Sequence, residues 1–198
     1  TVYPDIYLDT IKPIDSQFDL FPYQRLFLRA LMRYNQIYIT ATRAASKSFL
    51  SVLGLYLQCV FIPNHKCSIV APVKTQGVKI MRQKVEEIIK IWPLLEKELE
   101  VFMGKPHMNF SKDVAELYFK NGSKFTCEGA TDSSRGLRLH STFLDEVRDA
   151  DGDIISEVIL PQLNVSRRDA NGLVNPYEVC NQQVIAGTSA GMKSSYAY

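Results

Sequence analysis

Ile37-Tyr38-Ile39-Thr40-Ala41-Thr42-Arg43-Ala44-Ala45-Ser46-Lys47-Ser48 is the stretch on which the fold of this chain turns. A short β-rich run enters a loop, the loop ends in Lys-Ser, and Phe49, Leu50, Val52, Leu53, Leu55, Tyr56 and Leu57 follow at helical spacing. Strand, loop and helix in that order make the layout of a phosphate-binding P-loop. The usual G-x-x-x-x-G-K-[ST] string is not matched, because Ala41 stands at the first glycine position and Ser46 at the second. On this stretch alone a P-loop and an ordinary βα turn both fit. In the first reading Lys47 reaches phosphates and the Ser48 hydroxyl ligates Mg²⁺. In the second, Ser46 is a helix N-cap and Lys47 a solvated lysine.

Working outward, composition narrows the alternatives. The chain has 198 residues, 46% apolar and 22% charged, with a net charge of +2, which suits a folded domain and neither demands nor excludes nucleic acid. No apolar run is long enough for a membrane span, and Asp5 and Asp9 are not the start of a secretory leader. Cys59, Cys67, Cys127 and Cys180 form no C-x-x-C pair and lie away from ligand spacing with His65, His107 and His140, so packed thiols are expected rather than a zinc site. Basic residues cluster at Lys74, Lys79, Arg82 and Lys84, at Arg135 and Arg138, and at Arg167 and Arg168.

Residues 1–18 read as an irregular lead-in and 19–198 as the domain proper. Pro22 enters a helix carrying Tyr23-Gln24. The helix after Ser48 stops near Pro63, and Cys67–Ala71 is a buried strand closed by Pro72. An amphipathic helix carries Val78, Met81, Val85 and Ile88 to Trp92; beyond Pro93 a short helix is expected to resume over 94–102. Asn121-Gly122 between two strand-like runs marks a hairpin. Ser141–Leu144 climbs into Asp145-Glu146, 153–163 has helical character, and Val184–Gly187 is a last strand ending in Thr188-Ser189. The sequence ends just after this strand, as a piece of a longer protein would. Strands alternating with helices predict an α/β fold with a mostly parallel sheet flanked by helices, and an added β-hairpin.

Asp145-Glu146 lies where ligands of open α/β sheets bind, at a strand's C-terminal end. There an Asp can hold Mg²⁺ through water while a Glu orients and deprotonates an attacking water; a solvated turn is the plain alternative. Arg43 can offset charge on a transferring phosphate, and Gln24 can read an adenine edge through its amide. Thr188 can sense a γ-phosphate.

Taken in order, these motifs resemble the ATPase domain of the large terminase subunit of tailed double-stranded DNA phages. They are Tyr23-Gln24, the Lys47-Ser48 loop with Arg43 four residues before the lysine, Ser68–Pro72, Arg135-Gly136, Phe143–Glu146 and Gly187–Ser189. The resemblance implies a P-loop NTPase fold of RecA/ASCE type and ATP hydrolysis with Mg²⁺. It implies a nucleotide site of Gln24, Arg43, Ala44, Ala45, Ser46, Lys47, Ser48 and Thr188, with the metal at Ser48 and Asp145. Glu146 becomes the catalytic base, Arg43 a cis cation and Arg135 a trans cation or sensor. It also implies double-stranded DNA as cargo, a portal protein and a small terminase subunit as partners, ring assembly on the procapsid in the host cytoplasm, and a nuclease domain beyond these residues. Helicase-type ATPases share the Gln, P-loop and Asp-Glu order. A loop without glycines also leaves open a P-loop module that binds a partner and hydrolyses nothing.

Overall fold

Lys47–Phe61 becomes the central helix because its apolar residues run round the whole helix rather than along one stripe, and such a helix must be covered on every side. In the computed structural model, which describes residues 3–40, 45–131, 134, 136–145, 151–169, 171–175 and 182–187, it is covered by helices and sheet together. The elements that cover it are the helix Pro22–Leu31 (α2), the helix Lys74–Ile91 (α4) and the central sheet, with Lys47–Phe61 itself as α3. Gly54 permits close approach of α2: a Cβ there would fall 2.1 Å from Leu31 Cδ1.

Among the described residues the sheet has seven strands: Gln36–Thr40 (β1), Lys66–Ala71 (β2), Met108–Phe110 (β5), Ala115–Tyr118 (β6), Lys124–Gly129 (β7), Ser141–Leu144 (β8) and Gln182–Gly187 (β9). Their spatial order is β1-β9-β8-β2-β7-β6-β5, and the first five are parallel to their neighbours. β6 and β5 are antiparallel additions at one end. Five residues of the six in β2 are buried, as expected of a strand covered on both faces. Val101–Phe102 (β3) and Lys105–Pro106 (β4) form a separate small hairpin.

One sheet face carries α3 and α4 over Ile69, Phe125, Cys127, Phe143 and Val184. On the other face, Val70, Ala130 and Leu144 pack against Ile155, Val158 and Ile159. These come from a helical segment that begins at Gly152–Ile154 (α5), widens over Ile155–Ile159 and tightens over Leu160–Leu163. Helices on both faces of a mostly parallel sheet match the expected α/β architecture, and the hairpin around Asn121-Gly122 is β6–β7. Its turn is bonded from Gly122 N–H to Phe119 C=O at 3.0 Å, with Gly122 in the left-handed region at φ 81°.

Two expectations need correction. Residues 1–18 are not irregular throughout, since Pro4–Ile11 is a helix (α1) with Pro at its first turn. Its carboxylates set its place: Asp5, 1% exposed, accepts from both Nε (2.9 Å) and Nη2 (2.7 Å) of Arg29, and Asp9 pairs with Arg25. Trp92 Nε1–H reaches the Leu8 carbonyl at 3.1 Å. Secondly, the short helix expected over 94–102 is a 3₁₀ helix confined to Pro93–Glu98, after which the chain enters strand β3. Leu95 and Leu99 are drawn into the core there, and Tyr56 donates its hydroxyl to the Leu95 carbonyl at 2.8 Å. Cys59, Cys67 and Cys127 are buried free thiols, while Cys180 lies outside the described residues. No helix among the described residues is long and apolar enough to cross a membrane.

Candidate functional site: the Lys47-Ser48 loop facing a strand-end aspartate

The parallel register aligns the strand ends. Tyr38, Ile185, Leu144, Val70 and Glu128 stand in one row across β1, β9, β8, β2 and β7. The chain leaves β1 at Thr40, β9 at Gly187, β8 at Asp145 and β2 at Pro72, all on one edge of the sheet. Because β9 lies between β1 and β8, the two candidate motifs begin two strand spacings apart, about 9.6 Å. Helix α3 closes that gap. Ser48, in its first turn, places Oγ 3.4 Å from Asp145 Oδ1 and 3.3 Å from Oδ2, across 97 residues of sequence. Asp145 is 5% exposed, and its N–H donates to the Val70 carbonyl at 3.0 Å, continuing the β8–β2 ladder past the strand's end.

The loop's plain reading as a capped helix with a solvated lysine does not hold. Ser46 makes no side-chain cap, and Lys47 is 8% exposed. Ser46 lies at φ 54°, ψ 28°, the left-handed conformation. That is the backbone state glycine adopts at no steric cost, so the missing second glycine is replaced by a serine holding a glycine-like geometry. Its carbonyl still accepts the first helical bond from Leu50 N–H at 2.9 Å.

Beside the loop lies an apolar cavity of about 190 Å³, lined by Tyr23, Phe27, Ile39, Ala45, Lys47 and Leu50. Tyr23 stacks on Phe21 with ring centroids 6.0 Å apart and planes 10° apart. A flat aromatic heterocycle next to a buried lysine and a helix N-terminus is the ligand these walls suit. Phe27, Ile39 and Leu50 were missed from sequence; the i, i+4 spacing of Tyr23 and Phe27 at the start of α2 was the available signal. Gln24 is spent differently from expectation. Its Oε1 accepts from Phe21 N–H at 2.9 Å and caps α2, and its Nε2 lies 3.4 Å from the Tyr23 hydroxyl. One carbonyl lone pair and one amide N–H remain for a base.

A hydroxyl and a carboxylate are the hard oxygen donors Mg²⁺ takes, with water completing its shell, so Ser48 and Asp145 fit that ion. Of the sequence candidates, the structure brings together Ala45, Ser46, Lys47, Ser48 and Asp145, with Gln24 on the adjoining helix. Arg43, Ala44, Arg135, Glu146 and Thr188 lie outside the described residues.

This architecture matches solved structures over nearly the whole chain. The ATPase domain of the Thermus phage P74-26 large terminase is similar with a TM-score of 0.64 and 17% identity, over 97% of this chain and 72% of that one. The chain has the fold of a large terminase ATPase domain. The bacteriophage HK97 large terminase aligns with a TM-score of 0.63 and 14% identity over 93% of this chain, which spans 36% of that protein. The large terminase of a thermophilic bacteriophage, solved in complex with ADP, aligns at 0.57 with 10% identity, over 86% of this chain and 39% of that one. No protein-family model matches the chain, and no curated protein matches it by sequence. The terminase fold is thus carried by architecture at sequence identities where few side chains coincide.

Proposed function

We infer that this chain is the ATPase part of a DNA-packaging motor, hydrolysing ATP with Mg²⁺ to drive double-stranded DNA into a procapsid. The observation that carries this reading is the Ser48–Asp145 pairing at the strand ends of a terminase-type sheet, beside an apolar cavity walled by Lys47. Lys47 and the N-terminus of α3 hold the phosphates. Ser48 and Asp145 hold the metal, which supplies charge neutralisation of the phosphates when bound. Tyr23 and Phe27 take the base, and Gln24 contributes its remaining amide N–H.

Glu146, directly after the metal-side carboxylate, is assigned the role of orienting the attacking water. Arg43 offsets charge on the transferring phosphate, Arg135 acts in trans or as a sensor, and Thr188, following β9, couples hydrolysis to movement. The partners in this reading are double-stranded DNA, a portal protein, a small terminase subunit and further copies of the chain in a ring. A nuclease domain belongs to the longer protein.

The test is ATP turnover by the ring-assembled motor. Glu146→Gln is expected to abolish turnover while leaving Mg–ATP binding in place; undiminished turnover sinks the catalytic assignment. Calorimetry with a Mg–ATP analogue that detects no binding even in the ring would leave a P-loop module without hydrolysis.

A further inference from the structure

Among the described residues, the cover on the sheet face opposite α3 and α4 lies over Val70, Ala130 and Leu144. The segment Gly152–Leu163 packs over Val70 and Leu144, and Gln162 holds the incoming loop by donating to the Ser134 carbonyl at 2.8 Å. Among the described residues, a polar groove of about 370 Å³ runs along β7 beside residues 136–139, with Lys66 of β2 and Glu116 of β6 in its lining. Alternation along β7 puts Phe125 and Cys127 into the core and therefore Lys124, Thr126 and Glu128 into this groove. From Lys124 to Glu128 the floor is about 13 Å long, more than a single phosphate needs.

Its charges are unevenly satisfied. Glu116 is neutralised by Lys124 at 2.8 Å, and Glu128 by Lys74 at 3.3 Å. Lys66 and Arg138, both in the lining near the starts of β2 and β8, are exposed and have no ion pair among the described residues. Arg167 adds a third cation near the start of β2, its guanidinium donating to the Pro63 carbonyl at 2.8 Å. On the floor Thr126, 9% exposed, has a hydroxyl with no hydrogen-bond partner among the described residues. At the lip, Gly136 (φ 92°) has nothing within 4 Å of its Cβ position among the described residues.

We propose that this groove is a track for the phosphodiester backbone of double-stranded DNA, with Lys66 and Arg138 contacting phosphates and Thr126 donating its hydroxyl. The net positive lining, the open lip and a length beyond one phosphate fit a continuous anionic chain better than a small anion. The proposal rests on the packaging reading for the identity of its ligand. It does not use Lys47, Ser48 or Asp145, none of which lines the groove.

The test is fluorescence anisotropy of a labelled duplex with this chain, without nucleotide, over a salt series between about 50 and 200 mM. The double variant Lys66→Gln/Arg138→Gln is expected to weaken binding alike for all sequences and to lower the salt slope by about 2, one per lost phosphate contact. Thr126→Val is expected to weaken binding with the slope unchanged. Lys79→Gln/Lys90→Gln, on the exposed face of α4, serves as the control and keeps the wild-type slope. Lys66→Arg/Arg138→Lys keeps both charges and is expected to bind as wild type, which separates charge from folding.

An unchanged slope in the first variant, an equal drop in the control, or no wild-type binding at the lowest salt overturns the groove. So does retained DNA binding together with lost inorganic-phosphate binding by calorimetry, which makes it a small-anion site. DNA binding through the groove in a motor without ATP turnover overturns the ATPase reading and leaves the groove standing.

Discussion

Ser48 Oγ lies within 3.4 Å of both carboxylate oxygens of Asp145, although 97 residues separate them. A hydroxyl poised between two carboxylate oxygens at the end of a parallel strand is a metal-ready arrangement of hard donors. Asp145→Asn keeps the shape and removes the charge. It is expected to weaken Mg²⁺-dependent nucleotide binding by about 10- to 100-fold, the range typical of groups that act on a metal through one intervening ligand. Titration of Mg²⁺ against a fluorescent nucleotide reads this directly, and equal affinity in the variant would remove Asp145 from the metal site.

Ser46 pays for its left-handed backbone, at φ 54°, where a non-glycine residue is strained by about 1–2 kcal/mol. Ser46→Gly relieves that strain but loses about 0.5–1 kcal/mol to the greater freedom of glycine when unfolded. The net expectation is a stabilisation of about 0.5–1 kcal/mol, seen as a higher denaturation midpoint at unchanged m-value. Ser46→Val, β-branched and ill suited to positive φ, is expected to move the midpoint the other way.

Gly77 holds α4 against β7 and β2. A Cβ there would stand 2.7 Å from Cys127 Sγ and 3.0 Å from Ala71 Cβ. Gly77→Ala therefore overpacks a buried contact and is expected to cost about 1–3 kcal/mol despite alanine's better helix propensity. Cys127→Ala removes the nearer obstacle, so the double variant should recover part of the loss. A double-mutant cycle by chemical denaturation checks this, and strict additivity would show that the sulfur is not the obstacle.

His65 gives the fold an acid-sensitive point. It is 1% exposed, its Nε2 lies 3.0 Å from Ser141 Oγ, and its Nδ1 has no partner among the described residues. Burial first, then the positive fields of His140 and Arg167, press its pKa from 6.5 down to about 3. The folded state thus keeps His65 neutral where the unfolded chain would protonate. The stability this represents is present above pH 6.5 and is lost as pH falls from 6.5 toward 3, at up to about 1.4 kcal/mol per unit. Denaturation between pH 7 and 5 should show this slope in the wild type and a flatter one in His65→Gln.

Much of the local structure was legible because it is local. Pro22 before an apolar pattern, the continuous apolar run of α3, and Asn121-Gly122 between two strand-like runs each act within a few residues. The Pro4–Ile11 helix was not legible, since its stability comes from distant partners, Asp5 with Arg29 and Leu8 with Trp92. Strand β3 escaped for a similar reason: it is held by its pairing with β4 and by Phe102 stacking on His107, and both strands are two residues long.

The sequence by itself determined the strand–loop–helix around Lys47-Ser48, the strand-like run into Asp145, and the order of motifs that resembles a terminase-type ATPase. Tertiary structure alone decided that Ser48 meets Asp145, because β9 sets the two motifs two strands apart and α3 bridges them, an arrangement that hydrophobic periodicity does not encode. It also decided that Ser46 stands in for the missing glycine, because backbone handedness at a serine is imposed by the elements on either side rather than by its own preference. The loop's departure from the standard string is one of residue type, and at Ser46 the glycine geometry is kept.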